Sequence, residues 1–128
     1  MVSKKTEMSL ESVLREMDVP QQVTRGIEEA GGPRSLESKI PRSSRVKAMA
    51  QYHKTLSDEI RLRLLFALAV TEMCPCVMKA VSGTTDSKLS YHLKLLESEG
   101  LIVAKRVKNW RIYSITDAGR MSISTHER

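Results

Sequence analysis

The chain of 128 residues is 41% apolar and 28% charged but only 4% aromatic, with a formal net charge of +6 and a pI near 9.5. That length suits one compact domain with extra segments, built on an aliphatic core of Leu, Ile, Val, Met and Ala. No stretch approaches the roughly 20 apolar residues of a bilayer span, and Met1 to Met8 lack the apolar run of a signal peptide. The expectation is a cytoplasmic protein. Its basic balance suits an anionic partner, nucleic acid or a membrane surface, or simply a basic protein, so charge alone does not choose, and no membrane partner is expected.

Residues 1–42 read as an N-terminal helical extension, expected to support a dimer. Ser9 suits the cap of a short helix carrying Leu10, Val13, Leu14 and Met17 on one face. Pro20 suits the first turn of a second helix with Val23 and Ile27 at i, i+4, which Gly31, Gly32 and Pro33 end. Pro41 breaks the chain again.

Residues 43–128 carry a stronger pattern. A helix over 43–56 sets Val46, Met49, Ala50 and His53 on one face. Ser57 is the expected cap of a helix over 57–70, with Asp58 and Glu59 in its first turn. Its inward stripe is Ile60, Leu64, Leu65 and Leu68, with Arg61 and Arg63 facing away. A short apolar helix over 73–81 ends near Gly83, and Thr84 or Thr85 caps the next, which runs to Glu99. In that helix Leu89, Leu93 and Leu96 face inward, and Gly100 stops it. Residues 101–107 and 110–115 form the strands of a hairpin turning at Lys108 and Asn109, with Trp110 read as an apolar anchor at its base in preference to a base-stacking residue. Thr116 or Asp117 caps a short last helix.

The order is mainly α with a small β-hairpin wing (α+β), the plan of a winged helix-turn-helix. A helix entering the major groove needs side chains that donate to base edges and phosphates. Ser87, Lys88, Ser90, Tyr91 and Lys94 supply them, while Lys105, Arg106, Lys108 and Arg111 on the hairpin suit the flanking backbone or minor groove. Each feature alone also fits an ordinary solvated helix or surface hairpin; it is their order that points to double-stranded DNA. An enzyme is not indicated, because Asp86, Ser90 and His92 share one helix at spacings that do not converge as a triad. A protein-binding winged helix would need an apolar outer face where Ser87, Lys88, Tyr91 and Lys94 stand.

Residues 56–119, LSDEIRLRLLFALAVTEMCPCVMKAVSGTTDSKLSYHLKLLESEGLIVAKRVKNWRIYSITDAG, resemble the ArsR/SmtB family of winged-helix repressors across the whole core. LSDEIRLRLL resembles the family's opening helix, SYHLKLLESEGLI its recognition helix and entry to the wing, and EMCPC its metal-binding helix motif. The resemblance implies a homodimeric transcriptional repressor, not an enzyme, bound to an inverted-repeat operator and released by an inducer. The family's second metal site is expected to be absent: Asp117 fits its first position, but Gly119 stands where a His belongs, and His126 and Glu127 lack the spacing.

Cys74 and Cys76 are the chain's two cysteines. Thiolates suit thiophilic ions such as As(III), Cd or Zn. On a regular helix, side chains at i, i+2 diverge by about 200°. Pro75 places Cys74 at or before the helix start, where both sulfurs can turn to one ion. His53, His92, Glu72 or cysteines of the partner subunit are candidate further ligands, although His92 also suits a plain packing role. Three readings stay open: an inducer site, a thiol redox switch, and two small apolar residues packed in a short helix.

Overall fold

The structure, a computed structural model, describes residues 8–124. The chain divides into two compact units, one ending at Val46 and one beginning at Lys47.

The first unit holds three short helices, α1 (Leu10–Glu16), α2 (Gln21–Glu29) and α3 (Pro33–Lys39). Ser9 caps α1, its Oγ accepting from the Ser12 N–H at 3.1 Å. Pro20 takes the cap position of α2, one place before the expected first turn. The largest departure is α3: Gly31 and Gly32 turn the chain with φ of 107° and 94°, and Pro33 then opens a helix instead of ending one. A proline at the first helical position loses an N–H that has no partner there, and its φ is already helical. Ser35 Oγ and Lys39 Nζ donate to the Ala30 carbonyl at 2.7 and 3.0 Å, satisfying the end of α2.

Helix α4 (Ser43–Leu56) runs across the boundary. Its expected apolar face is exposed, Val46 at 45% and Met49 at 52%, and its packing falls to Tyr52, Thr55 and Leu56 instead. Then come α5 (Glu59–Val70), α6 (Pro75–Ser82), α7 (Asp86–Ser98), the hairpin β1 (Ile102–Val107) and β2 (Trp110–Ile115), and α8 (Asp117–Ile123). The cap of α5 is Asp58, not Ser57: its Oδ1 accepts from the Arg61 N–H at 3.0 Å, a reach that carboxylate geometry serves well. Helix α6 starts two residues later than the apolar run suggested, because Pro75 takes its first position and Met73 is drawn elsewhere.

Leu64, Leu65, Leu68, Met78, Leu96, Leu101 and Ile123 are fully buried and bring α5, α6, α7 and α8 onto one aliphatic core. Each such side chain contributes about 1.5–3 kcal/mol by leaving water. Gly83, left-handed at φ 71°, closes α6 and turns the chain toward α7. The hairpin pairs antiparallel from Ile102 with Ile115 out to Val107 with Trp110. Ile102, Ala104 and Arg106 therefore share one face with Arg111, Tyr113 and Ile115, and that face holds the buried Ile102 and Tyr113. Thr116 caps α8 by accepting from the Gly119 N–H at 3.0 Å. Gly119 is tolerated so early in α8 because its α-carbon lies against the Leu101 carbonyl, where a Cβ would collide.

Candidate nucleic-acid interface and thiol pair

Helices α6 and α7 and the Gly83–Thr85 turn form the helix-turn-helix. Lys79 on α6 reaches across the turn to Asp86 at 3.0 Å. Thr85 caps α7 through the Lys88 N–H at 3.4 Å. The 3.6-residue repeat then sorts α7 cleanly: Leu89, His92, Leu93 and Leu96 are buried, while Ser87, Lys88, Ser90, Tyr91 and Lys94 are exposed. These are the side chains expected to face DNA, and they lie on one solvent-facing surface.

The four expected wing cations are exposed as well, but they differ in their partners. Arg111 pairs with Glu97 of α7 at 3.7 Å and lies over the Tyr113 ring at 5.7 Å, which ties the wing to the helix beside it. Lys105 pairs with Glu72 at 3.7 Å. Among the described residues Arg106 and Lys108 have no carboxylate partner. A cleft of about 450 Å³ between α7 and the wing is bordered by Ser90, Lys94 and Arg111, with Pro75 at its rim. Trp110 departs from the expected anchor at the wing base: the two-residue turn Lys108–Asn109 puts it at the tip, 57% exposed.

Cys74 is the cap residue of α6, with extended backbone (φ −87°, ψ 165°). That conformation removes the helical divergence and brings the two sulfurs to 3.0 Å, both accessible to solvent. The thiol of Cys76 and the Val77 N–H donate toward Cys74 and hold its pKa below the ordinary thiol value, while Cys76, as the donor, is pushed up. The donor chemistry fits a soft ion held by two thiolates. No group of three or more Cys, His, Asp or Glu with metal-site geometry occurs among the described residues. Glu72 bonds elsewhere, accepting from Ser114 Oγ at 3.3 Å beside Lys105. His92 is buried against Arg61, and His53 is exposed on α4. His126 and Glu127 lie outside the described residues.

Sequence reasoning missed two features here. Arg61, expected to face away from the core, is buried: its Nε donates to the Thr55 carbonyl and its Nη1 to His92 Nδ1 at 2.6 and 2.9 Å. Periodicity alone hides such a residue, although the Asp58 and Arg61 pair three residues apart was a usable signal. The second is an isolated β-bridge: the Met73 N–H donates to the Tyr113 carbonyl at 3.1 Å, and the Tyr113 N–H donates back at 2.9 Å. The residue just before Cys74 is thus stitched to the wing.

Residues 60–127 match the family model described as a winged helix DNA-binding domain. A Synechocystis protein, a transcriptional repressor SmtB homolog, is 31% identical over 70% of this chain and 68% of its own length. The arsenical resistance operon repressor of Bacillus subtilis is 32% identical over 59% of this chain and 73% of its own length. The homodimeric winged helix-turn-helix DNA-binding domain from Mycobacterium bovis superposes with a TM-score of 0.54 at 22% identity, covering 67% of this chain and 92% of that one, a likeness of fold. Among the described residues no helix is long and apolar enough to cross a membrane.

Proposed function

This chain belongs to the ArsR/SmtB family of winged-helix transcriptional repressors, and we propose that it acts as a homodimer on an inverted-repeat operator and leaves it when a thiophilic ion binds Cys74 and Cys76. The observation carrying the DNA half is the single surface formed by Ser87, Lys88, Ser90, Tyr91 and Lys94 beside the cations of the wing. Two such helices, related by a two-fold axis, read successive major grooves. Lys105, Arg106, Lys108 and Arg111 add phosphate or minor-groove contacts. The dimer reading draws on the homodimeric relative and on exposed apolar side chains of α4 and α8, Met49 at 52% and Met121 at 75%.

The observation carrying the inducer half is the 3.0 Å approach of two accessible sulfurs. As(III), Cd or Zn are the ions whose softness suits this pair, in the order of preference for sulfur over oxygen that favours the first two. Capture there reorganises the start of α6, and Met73, next to Cys74, is main-chain bonded to β2. Any release is bounded by the ion's differential affinity for the free and DNA-bound states.

The test is an anisotropy titration of the reduced protein on its own upstream DNA with arsenite, Cd or Zn. Release by one of these ions is expected, and its loss in the Cys74→Ser/Cys76→Ser double variant, with DNA binding intact. Persistent release from the double variant would rule out the site. Lys88→Ala or Tyr91→Ala should weaken specific binding by roughly 5- to 100-fold without unfolding the domain.

The same geometry favours a second reading, a redox switch. Hydrogen peroxide can take one electron from each sulfur together with the two thiol protons, forming the Cys74–Cys76 disulfide and leaving as two waters. Release by peroxide, reversed by a dithiol and insensitive to the ions, selects this reading over the first.

A further inference from the structure

The wing carries an unassigned side chain with the properties of a nucleic-acid contact. Trp110, the chain's single tryptophan, opens β2 directly after the turn at Lys108 and Asn109. It is 57% exposed, and its cross-strand partner Val107 is itself 44% exposed. An indole left in water at a hairpin tip adds nothing to the core, so its apolar surface is available to a partner.

Charge says which partner. The hairpin from Ile102 to Ile115 contains four cations and no carboxylate. Glu72 engages Lys105 and Glu97 engages Arg111, while the cations nearest the tip, Arg106 and Lys108, have no carboxylate partner among the described residues. A protein partner for an apolar patch would be flanked by mixed charge; a uniformly positive rim matches a polyanion. A six-residue hairpin projects about 20 Å, enough for the tip to meet the minor groove flanking the major groove that α7 occupies. Positive side chains are drawn to the negative potential of a narrow minor groove. Apolar side chains set against its sugar walls or base steps are a recurrent device of proteins that bind there.

We infer that Trp110 is a DNA-contacting residue, its indole packed against the deoxyribose walls of the minor groove while Arg106 and Lys108 hold the flanking phosphates. Its Nε1–H faces a groove floor that offers acceptors at every A·T pair. The inference rests on the DNA-binding reading above and extends it to a non-ionic contact.

A single tryptophan makes the test direct. The full chain is titrated with duplex from its own upstream region, following anisotropy of labelled DNA and indole emission together. Saturation should change the indole emission, in step with anisotropy. Trp110→Ala should lose about tenfold in affinity and Trp110→Phe less than threefold, as expected for removing or shrinking one apolar contact that leaves water. The slope of log affinity against log salt should be the same in both variants, because no charge is removed. Unchanged emission at saturation, or a Trp110→Ala affinity within twofold of the parent, overturns the inference while leaving DNA binding in place. No binding by the parent protein to any duplex would instead overturn the DNA-binding reading together with it.

Discussion

Arg61 Nη1 lies 2.9 Å from His92 Nδ1, so α7 is fastened on its buried side to α5 by a cation and an imidazole. A guanidinium can only donate, so Nδ1 must accept and the proton sits on Nε2. His92 is therefore neutral in the native state. Asp58 stands 3.9 Å from both partners and spreads the positive charge.

This arrangement predicts an acid-sensitive fold. Burial lowers the His92 pKa below its ordinary 6.5, Asp58 opposes, and Arg61 and Lys88 lower it further. Above pH 6.5 the imidazole is neutral folded and unfolded, and its contribution is complete. As pH falls below 6.5 the unfolded chain takes up the proton first, and stability is lost down through the folded pKa. For Asp58, burial alone would raise the pKa, but the Arg61 N–H, the charge of Arg61 and that of His92 once acid has protonated it bring the net value below 3.8. Its contribution is present above 3.8 and lost as pH falls further through the folded value. Melting temperature should be flat from pH 8 to about 6.5 and fall below it, and His92→Gln should flatten the first part of the fall. An unchanged profile in His92→Gln would remove this assignment.

Gly119→Ala should destabilise the domain by roughly 1–3 kcal/mol, the range for overpacking a close contact. The new methyl would collide with the Leu101 carbonyl and come within 2.6 Å of Ile115 Cγ1. Thermal melts followed by circular dichroism check this; a melting temperature equal to the parent's would show that α8 moves aside freely.

Lys108 sits at φ 57°, the one non-glycine residue among those described with positive φ. A left-handed lysine costs roughly 1 kcal/mol. Lys108→Gly should raise the melting temperature by a few degrees, offset in part by the greater entropy of the unfolded glycine. Operator affinity should fall, with the salt slope shallower by about one unit. A gain in stability without that change in slope would mean that Lys108 touches no phosphate.

Glu72→Gln should tighten DNA binding in the absence of inducer. The substitution frees Lys105, now held at 3.7 Å, and the salt slope should steepen by up to about one unit. The same variant should weaken inducer-driven release, because Glu72 joins the thiol segment to Lys105 and Ser114 of the wing. Unaltered affinity and release would make this contact a spectator.

Most of the winged helix was legible because its signals are local and repetitive. The leucines at 89, 93 and 96, the Gly83 stop and the alternation from Trp110 to Ile115 each follow from one helix or one strand. What escaped was set by contacts distant in sequence or by the context of a single residue. Arg61 looks like a solvent-facing charge until His92, 31 residues away, is placed against it. Pro33 reads as a stop until the glycines before it have turned the chain. Trp110 reads from its apolar residue type as an anchor at the base, although the expected turn at Lys108 and Asn109, which the structure bears out, already puts it at the tip. For the thiol pair, Pro75 placed Cys74 at the helix start, but the bridge from Met73 to Tyr113 involves main-chain atoms, which leave no mark on residue type.

That bridge also bears on edge-to-edge association. A two-stranded sheet offers two open edges, and an open edge is a template for adding strands from other molecules. Here Met73 occupies part of the outer edge of β2, and the outer edge of β1 carries adjacent cations at Lys105 and Arg106. One edge is shielded by the chain itself and the other by repulsion between like charges. The segment that leads into the cysteines thereby doubles as a guard against edge-to-edge aggregation.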